Sequence, residues 1–191
     1  MKVTPLAIPD VLLFEPQVFP DDRGLFFESF NTARFEAATG LKREFPQDNH
    51  SLSRKGVLRG LHYQLPPFEQ GKLVRVVRGA AFDVAVDIRR GSPSFGQWAG
   101  EVLSADNRRQ LWIPEGFAHG FLALAEGTEL LYKTTNPYDP ASERAVRWDD
   151  PQLDIRWPLD LPPVTNARDG AAPLLLHAVS NMRTSGSEKL E

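Results

Sequence analysis

An all-β protein is what this sequence predicts: a sandwich or barrel of short strands, with a jelly-roll β-barrel the natural choice and short helices only at its periphery. Three observations carry that expectation. Short runs rich in β-branched and aromatic residues dominate the chain, turn signals separate them, and a single stretch reads convincingly as a helix.

From the amino end, VLLFEPQVF (11–19) and LFFESF (25–30) are strand-like, with a turn signal at 21–24 between them. NTARFEAATG (31–40) is the helix: Asn31 can cap its start, Phe35 and Ala38 share a face, and Gly40 can close its end. GVLRGLHYQ (56–64) reads as a strand carrying one histidine, followed by the strand-like KLVRVVRG (72–79). FDVAVDI (82–88) alternates, with Phe82, Val84, Val86 and Ile88 on one face and Asp83, Ala85 and Asp87 on a more polar one. After a turn signal at 91–96 come QLWIPEG (110–116) and HGFLALA (119–125), then a turn at 125–128 and ELLYKTT (129–135). There is no internal repeat. Proline becomes frequent from Asp149 onward, and SGSEKLE at the end reads as a solvated tail. One domain over 1–191 is therefore expected, with 171–191 a C-terminal extension or loose tail.

Composition narrows the chemistry. The 191 residues are 41% hydrophobic and 25% charged, enough apolar mass for a real core. There are no cysteines, so disulfides, thiolate metal sites and cysteine nucleophiles are excluded. MKVTPLAIPD at the amino end lacks the apolar stretch of a secretory signal, and no segment approaches the roughly 18 apolar residues of a membrane span. A cytoplasmic protein is expected, without a membrane partner. The net charge is −3 and the basic residues are scattered, which argues against a nucleic-acid surface but leaves local clusters free to hold a small anion.

The lone His62 raises the question of a metal. Gly56, His62 and Glu69, with Pro114, Gly116 and His119 of PEGFAH, partly match the two histidine motifs of metal-binding cupins. The first of those motifs normally has a second histidine two residues after the first, on the same face of the strand, and here that place is Gln64. An amide is a poor transition-metal ligand beside imidazole and carboxylate. The departure points to a cupin that works without metal.

Several stretches taken together carry a more specific resemblance: DDRGLFFESFN (21–31), FPQDNHS (45–51), VLRGLHYQ (57–64), QGKLVRVVRGAAFDVAVDIR (70–89), WIPEGFAHGF (112–121), LYKTTNPYDPASE (131–143) and NARDG (166–170). In this order they resemble the dTDP-4-dehydrorhamnose 3,5-epimerases, cofactor-free cupins of nucleotide-sugar biosynthesis. The resemblance implies inversion at C3 and C5 of dTDP-4-dehydro-6-deoxy-D-glucose, the precursor step to dTDP-L-rhamnose. Such chemistry needs a base, a positive group at the enolate oxygen and an acid across the ring. It further implies His62 as the base, Asp169 as the carboxylate that orients it, Lys72 at the oxyanion and Tyr132 as the acid. Imidazole as a group suits the first task because it titrates near neutrality. Asp83, on the polar face of its strand, is a second candidate for supporting His62.

For binding, the resemblance implies that Arg23, Arg59 and Arg168 grip the diphosphate and sugars, where arginine's fork suits phosphate oxygens. Lys72, Glu28, Gln47, Asn49, His119 and Glu143 match other contacts, and Tyr138 matches the aromatic that stacks on thymine. A homodimer that exchanges amino-terminal strands is implied too, placing Arg23 and Glu28 in the partner's site. His50 and His177 receive no role. Three other readings stay open: an epimerase acting at C3 or C5 alone, a metal-dependent cupin, and a sugar-binding cupin without catalysis. The nucleobase preference and the end product of the pathway are not readable from these residues.

Overall fold

The structure, a computed structural model of the chain, describes residues 1–178. In chain order the elements are β1 (Lys2–Pro5), β2 (Leu12–Glu15), β3 (Val18–Asp21), β4 (Gly24–Phe27), α1 (Thr32–Thr39), β5 (Gln47–Ser53), β6 (Leu58–Gln64), β7 (Lys72–Arg78) and β8 (Ala80–Asp87). There follow β9 (Trp98–Ser104), β10 (Gln110–Ile113), β11 (Phe117–Ala123), β12 (Thr128–Thr134), β13 (Glu143–Ala145), the short α2 (Ala167–Gly170) and a 3₁₀ turn at Leu175–His177. The prediction of a mostly β protein with peripheral helices holds.

Two antiparallel sheets form the layers. A six-stranded sheet runs β1-β2-β10-β7-β12-β5, and a five-stranded sheet runs β13-β6-β11-β8-β9. Between them lies a core of branched and aromatic side chains that includes Val74, Val76, Ala85, Leu111, Phe117, Phe121 and Leu130. Both sheets are also covered on their outer faces. α1 seals the six-stranded sheet, burying Phe35 against Phe14 and Trp112 with ring centroids 5.9 and 5.0 Å away. Segments after β13 cover the five-stranded sheet, where Val84, Val86 and Ile88 meet Leu153 and Leu175. This explains why β8 is buried on both sides: its apolar face packs outward, and the face bearing Asp83, Ala85 and Asp87 points between the sheets.

The expected helix appears with its caps. Asn31 Oδ1 accepts from the Arg34 amide, and Gly40 takes the left-handed conformation at φ 71° while its N–H bonds to Glu36. The run 11–19 is two strands, because Pro16 interrupts it and β3 leaves the main sheet to pair only with β4. Residues 171–178 dock on the barrel through Leu175 and Ala178, both buried, while SGSEKLE lies outside the described residues.

Candidate active site

Strand register assembles a pocket at one end of the barrel, with a wall from each sheet. On the six-stranded sheet Tyr132 pairs with Asn49 and with Val74, and Thr134 pairs with Gln47 and with Lys72. Strand alternation therefore puts Lys72, Tyr132, Gln47, Asn49 and Ser51 on one inner face. On the five-stranded sheet His62 stands directly opposite His119, and His119 opposite Ala85. Asp83 lies two residues along from Ala85 on the same face, within reach of His119 across the strand gap. Lys72, Tyr132, Gln47, Asn49, Ser51, His62 and His119, with Arg59, Tyr138 and Glu143, line a cavity of about 260 Å³, and Asp83 is bonded to His119 behind it.

Two glycines allow β6 and β11 to meet there. A Cβ on Gly60 would lie 2.5 Å from the Gly120 Cα, and one on Gly120 2.8 Å from the Arg59 carbonyl. The register shifts between His119 and Phe121, so the bulge sits beside the two histidines.

His62 is held by a carboxylate from far along the chain. Its Nε2 lies 2.7 Å from Oδ1 of Asp169, whose Oδ2 accepts the Gly60 amide at 3.2 Å. Asp169 sits in α2, and Asn166 caps that turn by accepting the Asp169 amide at 2.7 Å. Burial works to raise the Asp169 pKa, but the His62 contact and the Gly60 amide bring it below the ordinary range, so it is ionised. An ionised carboxylate only accepts, so the His62 proton rests on Nε2 and Nδ1 carries the lone pair. Asp83, the alternative support for His62, bonds elsewhere: its Oδ1 is 2.8 Å from His119 Nε2.

Lys72 is buried, and its Nζ reaches the His62 carbonyl at 3.4 Å. Burial pushes its pKa down to about 8, with Asp83 and Glu143 pulling the other way. Burial also raises the Tyr132 phenol, keeping it protonated, and Tyr132 meets the His119 ring with centroids 6.2 Å apart.

At the rim, Glu143 Oε2 accepts the Tyr138 hydroxyl at 2.6 Å and pairs with Arg168 Nη1 at 2.7 Å. The Tyr138 amide donates to Gln47 Oε1, and Gln47 donates to Asn49. Arg59 is anchored by Ser53 Oγ and the Leu52 carbonyl, each at 3.1 Å.

Of the residues that the resemblance assigns to the site, Arg23 and Glu28 are the two that, among the described residues, neither line this cavity nor bond to a residue that lines it. Asp169, Asp83 and Arg168 reach it through His62, His119 and Glu143. Arg23 sits in the β3–β4 turn, almost fully exposed and paired with Asp21 at 2.6 Å. Glu28 pairs with Arg34 and accepts from Asn31 near the start of α1. Sequence reasoning missed Ser51, whose buried Oγ has no hydrogen-bond partner among the described residues, and the pairing of His119 with Asp83. Had QDNHSLS been read as a strand, alternation would have placed Ser51 beside Gln47 and Asn49.

The donor set does not suit a transition metal. Gln64 is committed to its loop, donating to the Phe68 and Pro137 carbonyls and accepting from Asp139. Glu69 lines a separate cavity with Trp112 and Arg43. Among the described residues no group of three histidine or carboxylate side chains is arranged so that it could hold a metal ion.

Comparison with known proteins points to one family. The family model described as dTDP-4-dehydrorhamnose 3,5-epimerase matches residues 5–177. The chain is 62% identical over 169 residues to the dTDP-4-dehydrorhamnose 3,5-epimerase of Pseudomonas aeruginosa, covering 88% of this chain and 93% of that protein. To the enzyme of the same name from Salmonella typhimurium it is 58% identical, over 94% of this chain and 98% of that one. Among solved structures, the dTDP-6-deoxy-D-glucose-3,5-epimerase of Legionella pneumophila, crystallised with dTDP-4-keto-L-rhamnose, superposes with a TM-score of 0.89 at 49% identity, over 92% of this chain and 93% of that chain. Identity at this level over most of the chain means that the chain belongs to the dTDP-4-dehydrorhamnose 3,5-epimerase family and is an epimerase.

Proposed function

We propose that this pocket inverts C3 and C5 of dTDP-4-dehydro-6-deoxy-D-glucose by two rounds of proton removal and return. The observation that carries the reading is the division of labour between the sheets. His62, with its lone pair free on Nδ1, belongs to one wall, and the protonated Tyr132 belongs to the other. A sugar ring lying between them has a proton acceptor on one face and a proton donor on the opposite face. Inversion needs that arrangement. His62 removes the hydrogen α to the C4 ketone, the electron pair moves onto O4, and Lys72 stabilises the resulting oxyanion with its buried ammonium. Tyr132 then returns a proton to carbon from the far side as the electron pair comes back from O4. His62 gives its proton to water and Tyr132 takes one from water, and the cycle repeats at the other α-carbon. The ketone is itself the electron sink, so the chemistry calls for no cofactor.

Binding follows from the rim. Tyr138 is exposed and free to stack on thymine, while Arg59 and Arg168 flank the mouth where a diphosphate would lie. Gln47, Asn49, His119 and Glu143 contact the sugar and nucleoside. Arg23 and Glu28 serve the pocket of a second copy. The β3–β4 ribbon joins neither main sheet and exposes Phe19 and Phe26, and a two-stranded ribbon alone is marginal in water. A homodimer in the cytoplasm, each subunit a single domain acting on a soluble nucleotide sugar, is the working form. No helix of the described residues is long and apolar enough to cross a membrane.

Incubation with the 4-keto sugar nucleotide in deuterated water tests the reaction. Deuterium is expected at both C3 and C5. Label at one carbon alone would reduce the activity to a single inversion, and label at neither would end the proposal.

A further inference from the structure

The proposed proton transfers leave a second histidine–carboxylate pair without a part in them. Asp83 is fully buried on β8, its Oδ1 bonded to His119 Nε2 at 2.8 Å. Its Oδ2 is buried and has no hydrogen-bond partner among the described residues. A buried carboxylate oxygen without a donor is costly, and such a group in a folded protein calls for a reason. Across the cavity Lys72 is equally hidden, and among the described residues its ammonium has one long contact, 3.4 Å to the His62 carbonyl, and no ion pair.

We propose that Asp83 is a positioning residue for the epimerisation, acting through His119, whose ring proton it holds on Nε2, and through Lys72, whose buried ammonium its charge balances. The inference rests on the reading of Lys72 as the cation at the enolate oxygen.

The first action follows from valence. A carboxylate accepts and does not donate, so His119 carries its proton on Nε2 and leaves Nδ1 as an acceptor. Burial holds the His119 pKa below the ordinary histidine value, so the ring is neutral at neutral pH. It therefore offers a sugar hydroxyl an acceptor rather than a second positive charge beside Lys72.

The second action follows from counting charges. The titratable and charged groups around Lys72 are His62 and Arg59 on β6, Asp83 on β8, His119 on β11, Tyr132 on β12 and Glu143 on β13, with Asp169 behind His62. Glu143 is already paired with Arg168, and Asp169 is bonded to His62. Asp83 is the carboxylate of this group that is bonded only to a neutral ring, so its charge remains to offset the lysine's. Without that charge the desolvated ammonium sheds its proton at a lower pH, and the enolate loses its counter-charge.

The alkaline limb of kcat/KM for the wild type and for Asp83→Asn tests this. Asparagine keeps the shape and an acceptor for His119 while removing the charge. The limb is expected to move to lower pH by about one unit or more, so that activity above neutrality falls about tenfold further than activity below it. Lys72→Arg in the Asp83→Asn background abolishes the moved limb, because a guanidinium does not titrate in this range. A uniform loss at every pH with the limb in place would make Asp83 a packing residue only and overturn the proposal. Full turnover by Lys72→Met would instead remove the reading of Lys72 on which it rests. A measurement on the wild type stands even if asparagine at 83 prevents folding. The ¹⁵N shifts of the His119 ring are expected to report a neutral Nε2–H tautomer throughout pH 6–9, and a ring protonated on Nδ1 overturns the proposal.

Discussion

The two histidine–carboxylate pairs of this barrel are nearly identical in contact and different in circumstance. His62 and His119 face each other in register across β6 and β11, with nitrogen–oxygen distances of 2.7 and 2.8 Å to their carboxylates. The His62 side chain is 30% exposed to the cavity and that of His119 only 7%. Asp169 has both oxygens occupied, by a ring nitrogen and the Gly60 amide, whereas among the described residues Asp83 has one. The comparison teaches that pairing with a carboxylate fixes a tautomer but does not make a base. Access does. On the proposed reading His62, the more exposed ring, takes the substrate hydrogen, whereas the buried His119 holds a substrate oxygen and keeps its neighbourhood neutral.

The largest expected effect breaks or upholds that comparison directly. His62→Asn should lower turnover by about 10²–10⁴-fold, the usual range for a lost general base, and should stop deuterium entry at both C3 and C5. His119→Asn should raise KM and slow the reaction while both carbons still exchange. Equal silence from the two variants in the deuterium assay would erase the distinction between the pairs.

Next in size is the cation that both pairs surround. Lys72→Met removes the charge proposed to face the oxyanion while keeping much of the side chain's length. Its kcat should fall by roughly 10²–10³-fold, as for loss of one oxyanion donor elsewhere, with dTDP affinity changed little. A large loss of nucleotide affinity with kcat preserved would move Lys72 from the reacting atoms to the diphosphate.

The rim should behave differently from the floor. Tyr138→Leu deletes a stacking surface, and base–aromatic stacking is worth about 1–3 kcal/mol. Titration calorimetry with dTDP should show a weakening of roughly five- to a hundred-fold, with exchange at saturating substrate near the wild-type rate. A variant that binds dTDP normally but turns over slowly would place Tyr138 with the chemistry instead.

How much of this was legible in sequence follows from what each strand has to do. β7, β8 and β12 are recognisable because their branched residues serve a core, and their alternation or density announces it. β5, QDNHSLS, is invisible to the same reasoning because its inner face lines the pocket and is therefore polar. β1, β9 and β13 went unread as well; β13 is only three residues long. His62, Lys72, Tyr132 and Asp169 were reachable through resemblance, but the choice between Asp169 and Asp83 as the partner of His62 depended on register and on α2. Neither is written in local composition. The pairing of His119 with Asp83 depends on a diagonal between two strands that no motif contains. Arg23 and Glu28 mark the other boundary, since one chain alone does not bring them to the cavity.

The smallest effect concerns how β6 and β11 are held together, and it uses two glycines as controls for each other. Gly40 and Gly60 both have positive φ, 71° and 122°. Around Gly40 a Cβ would meet nothing within 4 Å, so Gly40→Ala pays only for left-handed backbone, about 1–2 kcal/mol of stability, and should leave kcat unchanged. At Gly60 the same methyl would press on the Gly120 backbone at 2.5 Å, two residues from His62, in a conformation other residues rarely adopt. Strain and overpacking together should cost roughly 3 kcal/mol or more, and the strands must part where the two histidines face each other. Gly60→Ala should therefore lose turnover as well as thermal stability. If instead it lost only as much stability as Gly40→Ala and kept full kcat, the close approach of β6 and β11 would have no part in setting the distance between the two pairs, and the comparison would rest on burial alone.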